Sequence, residues 1–136
     1  MSQLSEQNKP SILVVNDSAQ NLEIITQILK NDYLVKIANS GKKALSYLKH
    51  DKKPDLILLD VIIPDMDGYT LCSRIKEEIG LDLPIIFLTA LEDEDGMIKG
   101  LELGAVDYVI KPVSAHVLRA RVATHIKLKQ FQDMLI

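Results

Sequence analysis

Five short apolar runs alternate with helix-like segments along the chain, and this alternation restricts the fold more than any other feature of the sequence. Three of the runs, at residues 12–15, 56–59 and 85–88, are unbroken apolar stretches, which is typical of strands buried on both faces of a sheet. The runs lie at residues 12–15, 33–38, 56–59, 85–88 and 106–110. Five strand–helix units of this kind predict a parallel sheet that is covered by helices on both faces and joined by right-handed crossovers.

The segments between the runs have the apolar spacing and the end signals of amphipathic helices. Ser18 and Ser40 are predicted N-caps, Gly104 is a predicted left-handed C-cap, and the last helix is expected to begin near Ser114. The residues predicted to face the sheet are Leu22, Ile25, Ile28, Leu29, Ala44, Leu45, Leu48, Leu71, Ile75, Ile79, Val117, Leu118, Val122 and Ile126.

The order of the strands in such an open sheet decides where polar residues meet. The second run is the most amphipathic and therefore predicts a strand near an edge. Among the known orders, 2-1-3-4-5 puts strands one and three side by side at the switch point, where these sheets bind ligands. The sequence thus predicts an α/β fold, a flavodoxin-like (βα)5 doubly wound parallel sheet of order 2-1-3-4-5, with an extended C-terminal helix.

Composition narrows the class of protein further. The 136 residues, 47% of them hydrophobic, suit one domain with a substantial core. Sixteen basic residues against 19 acidic ones give no field that would attract nucleic acid or an anionic membrane. A single cysteine, Cys72, cannot form an internal disulfide, which favours a reducing compartment. No apolar stretch reaches the roughly 18 residues of a membrane span, and residues 1–10 do not form a signal peptide. We therefore expect a cytoplasmic domain with no membrane or nucleic acid bound.

Polar residues with reactive groups follow three of the predicted strands. Asn16 and Asp17 follow the first strand, Asp60 ends the third, and Lys111 follows the fifth. Two carboxylates held close together repel unless a cation lies between them. Oxygen ligands without a nearby His or Cys favour Mg²⁺. Aspartate is also a nucleophile towards phosphorus, and Lys111 together with the hydroxyl of Thr89 could neutralise a phosphoryl group. The strand ends therefore predict a site for phosphate chemistry.

Each of these residues also has a plainer interpretation when it is taken alone. An aspartate after a strand is usually a cap or a turn residue, and Asp65 and Asp67 are predicted to serve the turn before Gly68. Cys72 is predicted to be an inert core or boundary residue. The three histidines have no second ligand at metal spacing, so we predict surface positions for His50, His116 and His125.

In their order and spacing, these residues resemble the receiver domains of two-component response regulators. The resemblance covers roughly residues 11–128. It implies that Asp60 is the phospho-acceptor, that Lys111 pairs with the phosphate, and that Thr89 and Tyr108 are the switch hydroxyl and the switch aromatic. The family usually has a cis peptide bond after that lysine, here before Pro112.

The same resemblance implies the ligands of a bound Mg²⁺ cofactor. They are the carboxylates of Asp17 and Asp60 and the backbone carbonyl of Ile62. The family normally has two acids after the first strand, whereas this chain has Asn16 before Asp17. An asparagine can hold a metal-bound water through its carbonyl oxygen, but it adds no charge. We therefore expect Asn16 to be an outer-shell residue of a site with weaker Mg²⁺ binding.

The function implied by this resemblance is a phosphorylation-controlled switch rather than a turnover enzyme. A histidine kinase or phosphotransfer protein would donate the phosphate, and a downstream output domain or protein would read the change. Three alternatives remain. A pseudo-receiver would only bind a partner. An aspartyl phosphohydrolase would need an acid where the chain has Ile62. A flavin module would need a loop rich in Gly, Ser or Thr at residues 16–20.

An apolar stripe continues along the last predicted helix, past the point where the last helix of a receiver domain needs to end. Leu128, Phe131 and Leu135 follow at spacings of three and four residues, and an apolar stripe without a covering domain suggests a partner. We expect a polar tail at 1–10, a receiver domain at 11–127, and a helix extension or linker start at 128–136. The extension would lead to a second domain or pair with a second copy, and the alternative is an ordinary helix end with a frayed tail.

Overall fold

Strands and helices alternate in the described part of the chain, as the apolar runs predict. The structure, a computed structural model, describes residues 8–80, 82–90 and 93–135. Residues 1–7 of the predicted tail and residue 136 of the predicted extension lie outside the described residues. The elements in chain order are β1 Ser11–Val15, α1 Ala19–Leu29, β2 Leu34–Ala38, α2 Gly41–His50, β3 Leu56–Asp60, α3 Gly68–Glu78, β4 Ile85–Ala90, α4 Glu94–Glu102, β5 Asp107–Lys111 and α5 Ala115–Met134.

All five strands are parallel and form one sheet in the order β2-β1-β3-β4-β5, which confirms the predicted fold class. Strands β1 and β3 are neighbours in which Val15 pairs with Leu59. On the other side of β3, Asp60 pairs with Leu88 of β4. The residues that follow β1 and those at the end of β3 therefore lie at the same edge of the sheet.

Two apolar layers enclose the sheet because successive side chains of a strand point to opposite faces. Leu13 and Leu59 belong to one layer, which includes buried residues of α2 and α3. Ile12 and Leu58 belong to the other, which includes buried residues of α1 and α5. Cys72 is fully buried in the first layer, as predicted, and burial raises the pKa of its thiol.

The predicted helix ends are also present. The hydroxyl of Ser18 accepts the Asn21 amide at 3.2 Å at the start of α1, and Ser40 accepts the amide of Lys43 at 3.1 Å at the start of α2. Gly104 has φ +108°, the left-handed region in which a residue without Cβ is favoured, and it follows the end of α4. The helix starts thus follow local side-chain chemistry.

Val117 and Asp65 do not have the roles that the sequence predicts. Val117 was predicted to face the sheet but is 42% exposed, because Leu118, Val122 and Ile126 form the inner row of α5 at a spacing of four residues. Asp65 was predicted to serve the turn before α3. Its carboxylate instead accepts the backbone amides of Gly41 and Lys42, both at 2.9 Å, and so caps the N-terminus of α2.

None of the helices in the described part of the chain combines the length and the apolar character that crossing a membrane would require.

Candidate functional site

Asp60 is the last residue of the fully buried strand β3 and is itself only 3% exposed. A buried carboxylate must be paired or hydrogen-bonded, since an isolated charge loses its hydration. Four contacts meet this need, two from Lys111, one from the backbone of Ile62 and one from Asn16. The candidate site is therefore centred on this carboxylate at the carboxyl edge of the sheet.

Lys111 supplies the positive charge at this carboxylate. Its Nζ lies 2.9 Å from Oδ1 and 3.0 Å from Oδ2 of Asp60. Lys111 is the last residue of β5 and pairs with Ala90, two residues beyond the partner of Asp60 on β4, so its side chain reaches back across that strand. The peptide bond between Lys111 and Pro112 is cis, as the resemblance implied.

Asn16 contacts the same carboxylate directly. Its Nδ2 donates to Oδ2 of Asp60 at 3.0 Å, and its Oδ1 accepts the backbone N–H of Ser18 at 2.9 Å. The backbone N–H of Asn16 continues the pairing of β1 with β2 by donating to Ala38 at 3.1 Å. The residue is 1% exposed. From the sequence we expect Asn16 to act through a metal-bound water. In the structure its amide nitrogen donates a hydrogen bond directly to Asp60.

Asp17 lies beside these residues but is not joined to them. It follows Asn16 in the connection between β1 and α1, and its side chain is exposed. Neither a hydrogen bond nor an ion pair engages this carboxylate in the ranges that the structure describes. The structure thus brings Asp60, Lys111 and Asn16 into contact and leaves the second carboxylate open to solvent.

Thr89 has a hydroxyl without a partner. The residue is 2% exposed on β4, next to Leu88, the strand partner of Asp60. Among the described residues, its Oγ1 is the one buried side-chain oxygen or nitrogen that has no hydrogen bond. An unsatisfied buried polar group costs about 1–3 kcal/mol. Such an atom, one residue beyond the strand partner of Asp60, is available to bind a ligand.

A second polar cluster surrounds Tyr108 and consists of side chains from β5 and α5. The half-buried ring of Tyr108 packs against the core, and the guanidinium carbon of Arg121 lies 6.0 Å from the ring centroid. The neighbouring Asp107 accepts from Arg121 at 2.8 Å and contacts Nε2 of His125 at 3.0 Å. The predicted surface position of His125 is wrong, since its side chain is only 14% exposed.

Burial would raise the pKa of Asp107, but hydrogen bonds from His125, from the backbone of Tyr108 and from Arg121 outweigh it and hold the pKa below its ordinary value. The cluster of Asp107, Arg121 and His125 was not predicted, because Asp107 is far from the other two residues in the chain. The spacing of Arg121 and His125, four residues apart on α5, places both on one helix face and was the available signal.

Helix α4 packs through glycines against an aromatic pair. The rings of Tyr69 and Phe87 lie 5.3 Å apart, and the Tyr69 hydroxyl donates to Asp93, the N-cap of α4, at 3.2 Å. A Cβ at Gly96 would lie 2.1 Å from the Tyr69 hydroxyl oxygen, and one at Gly100 would lie 2.8 Å from the Phe87 ring. Burial, and then the hydrogen bond to Asp93, raise the pKa of Tyr69 to about 12.

The oxygen atoms at this edge fit a hard cation. The described residues contain no group of three or more His, Cys, Asp or Glu side chains that could hold a metal ion. Mg²⁺ does not require such a group, because it commonly binds one or two carboxylates and keeps several waters. Asp60 and Asp17 can supply these carboxylates, provided that Asp60 gives up one of its present hydrogen bonds.

The sheet order and the aspartate–lysine contact define a doubly wound α/β domain with a charged site at its switch point. The family of the response regulator receiver domain matches residues 12–123, and the chain belongs to this family. Receiver domains are signalling domains that interact with histidine kinases and output domains, and they generally bind Mg²⁺ at an acidic site.

Three relatives illustrate the similarity. A "Probable cyclic di-GMP phosphodiesterase" of Vibrio cholerae is 42% identical over 127 residues, which cover 93% of this chain and 29% of that protein. A "Probable transcriptional regulator ycf27" of Guillardia theta is 43% identical over 117 residues, which cover 85% of this chain and 45% of that protein. The signal receiver domain of a signal transduction histidine kinase from Syntrophus aciditrophicus is 35% identical with a TM-score of 0.78, covering 87% of this chain and 90% of that domain. The chain thus spans less than half the length of these two curated relatives.

Proposed function

We propose that the chain accepts a phosphoryl group on Asp60 from a histidine kinase or phosphotransfer protein, in the presence of Mg²⁺, and that phosphorylation changes its partner-binding face. The observation that carries this proposal is the contact of Lys111 with both oxygens of the buried Asp60 carboxylate, at 2.9 and 3.0 Å. A buried nucleophile beside a fixed ammonium group suits the transfer of a negatively charged phosphoryl group.

The transfer forms a bond between a carboxylate oxygen of Asp60 and phosphorus. The bond from phosphorus to the donor breaks, and its electron pair leaves with the donor's imidazole nitrogen. Lys111 then pairs with the phosphoryl oxygens, and the unpaired hydroxyl of Thr89 donates a hydrogen bond to one of them. The backbone N–H of Ile62, now 3.0 Å from Oδ1 of Asp60, is a further donor at the same place.

The proposed Mg²⁺ ligands are the carboxylates of Asp17 and Asp60 and the backbone carbonyl of Ile62. The ion supplies positive charge that offsets the charge of the phosphoryl oxygens. The exposed position of Asp17 and the oxygen-only donor set support this assignment. The expected water-mediated role of Asn16 stays a prediction, and in the structure the oxygen that would hold this water accepts from Ser18.

The switch would link Thr89 to the surface formed by α4, β5 and α5. Movement of the Thr89 hydroxyl towards the phosphoryl group vacates space on β4, which the half-buried ring of Tyr108 on β5 can occupy. Arg121 and Asp107, which surround Tyr108, would change their positions with it. The result is a shift between two populations, and its extent depends on how differently each state contacts its partners.

A pseudo-receiver is the second candidate function. It is favoured by the hydrogen bonds that Lys111, Asn16 and the backbone of Ile62 already donate to Asp60. In that case the chain would bind its partner through the same surface without phosphorylation. A phosphohydrolase is not supported, because Ile62 stands where such an enzyme carries its general acid.

The C-terminal end of α5 is proposed to continue into an output domain or to pair with a second copy of this chain. Helix α5 extends without interruption from residue 115 to residue 134. Leu128, Phe131 and Leu135 are 52%, 59% and 86% exposed. We retain 11–127 as the receiver domain and 128–136 as the extension. Sedimentation of the chain with and without residues 128–136 tests the pairing, and a monomer in both cases excludes it.

Intact mass spectrometry after incubation with acetyl phosphate and Mg²⁺ tests the proposed function. We expect the wild-type chain to gain one phosphoryl group and Asp60→Asn to gain none. Asp32→Asn, which removes one negative charge at an exposed position, should gain the phosphoryl group as the wild type does. Phosphorylation of Asp60→Asn would show that another residue is the acceptor, and an unmodified wild type would favour the pseudo-receiver.

A further inference from the structure

The side-chain amide of Asn16 is held at both ends, and this fixes which of its atoms faces the site. Its nitrogen donates to Asp60 at 3.0 Å, and its oxygen accepts the Ser18 amide at 2.9 Å. The reverse orientation would place two acceptors together at Asp60 and two donors together at Ser18. The residue is 1% exposed, so water does not readily replace either partner. Asn16 therefore presents a donor, and not its oxygen, to the carboxylate.

The acceptor positions of Asp60 are all in use. A carboxylate offers about four of them. Oδ1 accepts from Lys111 at 2.9 Å and from the Ile62 backbone at 3.0 Å. Oδ2 accepts from Lys111 and from Asn16, both at 3.0 Å. A cation that binds Asp60 directly must therefore displace one of these donors.

The three donors differ in how readily they can leave. Lys111 carries a full charge, and charge-assisted hydrogen bonds are the stronger ones. The N–H of Ile62 is part of the backbone two residues beyond Asp60 and cannot rotate away by itself. The amide of Asn16 is a neutral side chain that can leave by rotation about its own bonds. Oδ2 is therefore the oxygen at which a cation meets the weakest competitor.

We propose that Asn16 is a positioning residue that occupies Oδ2 of Asp60 and must release it before Mg²⁺ binds this carboxylate. The inference rests on the proposed function, and it replaces the water-holding role expected from the sequence by competition with the cation. A residue that holds a cation-bound water strengthens Mg²⁺ binding, whereas a residue that competes with the cation weakens it. In the resting protein, the amide also donates to Asp60 where an aspartate would repel it.

Calorimetric titration of the unphosphorylated protein with Mg²⁺ alone distinguishes the two roles of Asn16, holding a cation-bound water and competing with the cation. Asn16→Ala removes both the competing nitrogen and the carbonyl oxygen. We expect this variant to bind Mg²⁺ about 2- to 10-fold more tightly than the wild type, the factor that corresponds to one net hydrogen bond. An affinity equal to or weaker than that of the wild type overturns the proposal. Asn16→Leu, which branches at Cγ as asparagine does but has no hydrogen-bonding atom, provides the same comparison if the alanine variant does not fold.

Thermal unfolding gives a second readout that does not depend on binding heats. We expect metal-free Asn16→Asp to melt below the wild type, since two carboxylates then face each other, and to gain more from added Mg²⁺ than the wild type gains. The matched control is Asn31→Asp, which adds the same charge at an exposed position and should behave as the wild type. Equal melting temperatures of Asn16→Asp and Asn31→Asp without metal would contradict the direct contact. Neither experiment contains a phosphoryl donor, so its outcome is independent of whether Asp60 accepts phosphate.

Discussion

The amine of Lys111 reaches across strand β4 to lie within 3.0 Å of both carboxylate oxygens of Asp60. Strand β4 pairs with β3 on one side and with β5 on the other, so a full strand separates the two residues. Asp60 is almost fully buried, while a third of the lysine side chain is exposed. The carboxylate thus depends on the lysine for its compensating charge.

Replacing Lys111 by methionine should destabilise the fold by about 1–3 kcal/mol, because the buried carboxylate of Asp60 then loses its cationic partner. This loss of stability is smaller than that expected for a fully buried ion pair, since the lysine side chain is 33% exposed. Urea unfolding at neutral pH measures the loss, with the exposed Lys52→Met as the control. In an Asp60→Asn background the same substitution should cost much less. An equal loss in both backgrounds would contradict the pairing.

Removing the unpaired hydroxyl of Thr89 should not destabilise the protein, in contrast to the replacement of Lys111. Thr89→Val removes the buried oxygen while keeping the shape of the side chain, so the unphosphorylated protein should keep its stability or gain up to about 1 kcal/mol. We also expect beryllofluoride with Mg²⁺, which mimics a phosphoryl group, to change the tyrosine fluorescence of the wild type and to leave that of the variant unchanged. Urea unfolding and tyrosine fluorescence measure the two effects. A loss of more than 1 kcal/mol would show that the hydroxyl has a partner in the resting state.

Much of the fold could be predicted from the sequence because local chemistry determines it. Continuous apolar runs mark buried strands, and Ser18 and Ser40 cap helices through bonds to residues three positions further along. The inner row of α5 was predicted with one error, since Val117 and Leu118 are both apolar and only the helix phase decides which of them faces the sheet. Asp65 was misassigned because its partners precede it by more than twenty residues.

The site could be predicted only in part, for a related physical reason. The sheet order brings the ends of β1, β3 and β5 to one edge, which is why Asp60, Lys111 and Asn16 could be placed near one another. Pattern alone does not determine the rotation of a side chain. The sequence could not show that the nitrogen of Asn16 faces Asp60, since this depends on the position of the Ser18 amide.

Asp65 should make the stability of the protein depend on pH. Backbone hydrogen bonds from Gly41 and Lys42 lower its pKa below the ordinary value of 3.8. A carboxyl group whose pKa is lowered by folding stabilises the folded state above its unfolded pKa and loses this effect as the pH falls through its folded pKa. Asp65→Ala should therefore cost about 0.5–1 kcal/mol at pH 7, at the lower end for a helix cap because the carboxylate is exposed.

The difference between wild type and Asp65→Ala should shrink as the pH falls below 4 and vanish under strongly acidic conditions. Urea unfolding from pH 7 downwards measures it. Asp32→Asn, at an exposed aspartate whose carboxylate makes no hydrogen bond among the described residues, serves as the control. A difference that stays constant with pH would mean that Asp65 acts through its shape and not through its charge.

Gly96 should be intolerant of even one added methyl group, because α4 packs there against Tyr69. A Cβ at this position would lie 2.1 Å from the Tyr69 hydroxyl and 2.2 Å from Oδ2 of Asp93, so it would break the hydrogen bond between them. Alanine normally favours a helix over glycine by up to about 1 kcal/mol. We nevertheless expect Gly96→Ala to destabilise the protein by about 1–3 kcal/mol through overpacking.

Gly80→Ala is the matched control for this substitution, since its Cβ would lie 3.5 Å from the nearest atom, Oδ1 of Asp82, at ordinary contact distance. It should change the free energy of unfolding by less than about 0.5 kcal/mol. In Gly96→Ala the pKa of Tyr69 should also fall from about 12 towards its ordinary value, because its hydroxyl loses Asp93. Absorbance of the phenolate at alkaline pH, compared with Tyr69→Phe, measures this change. Wild-type stability of Gly96→Ala would mean that α4 moves away from Tyr69 at little cost.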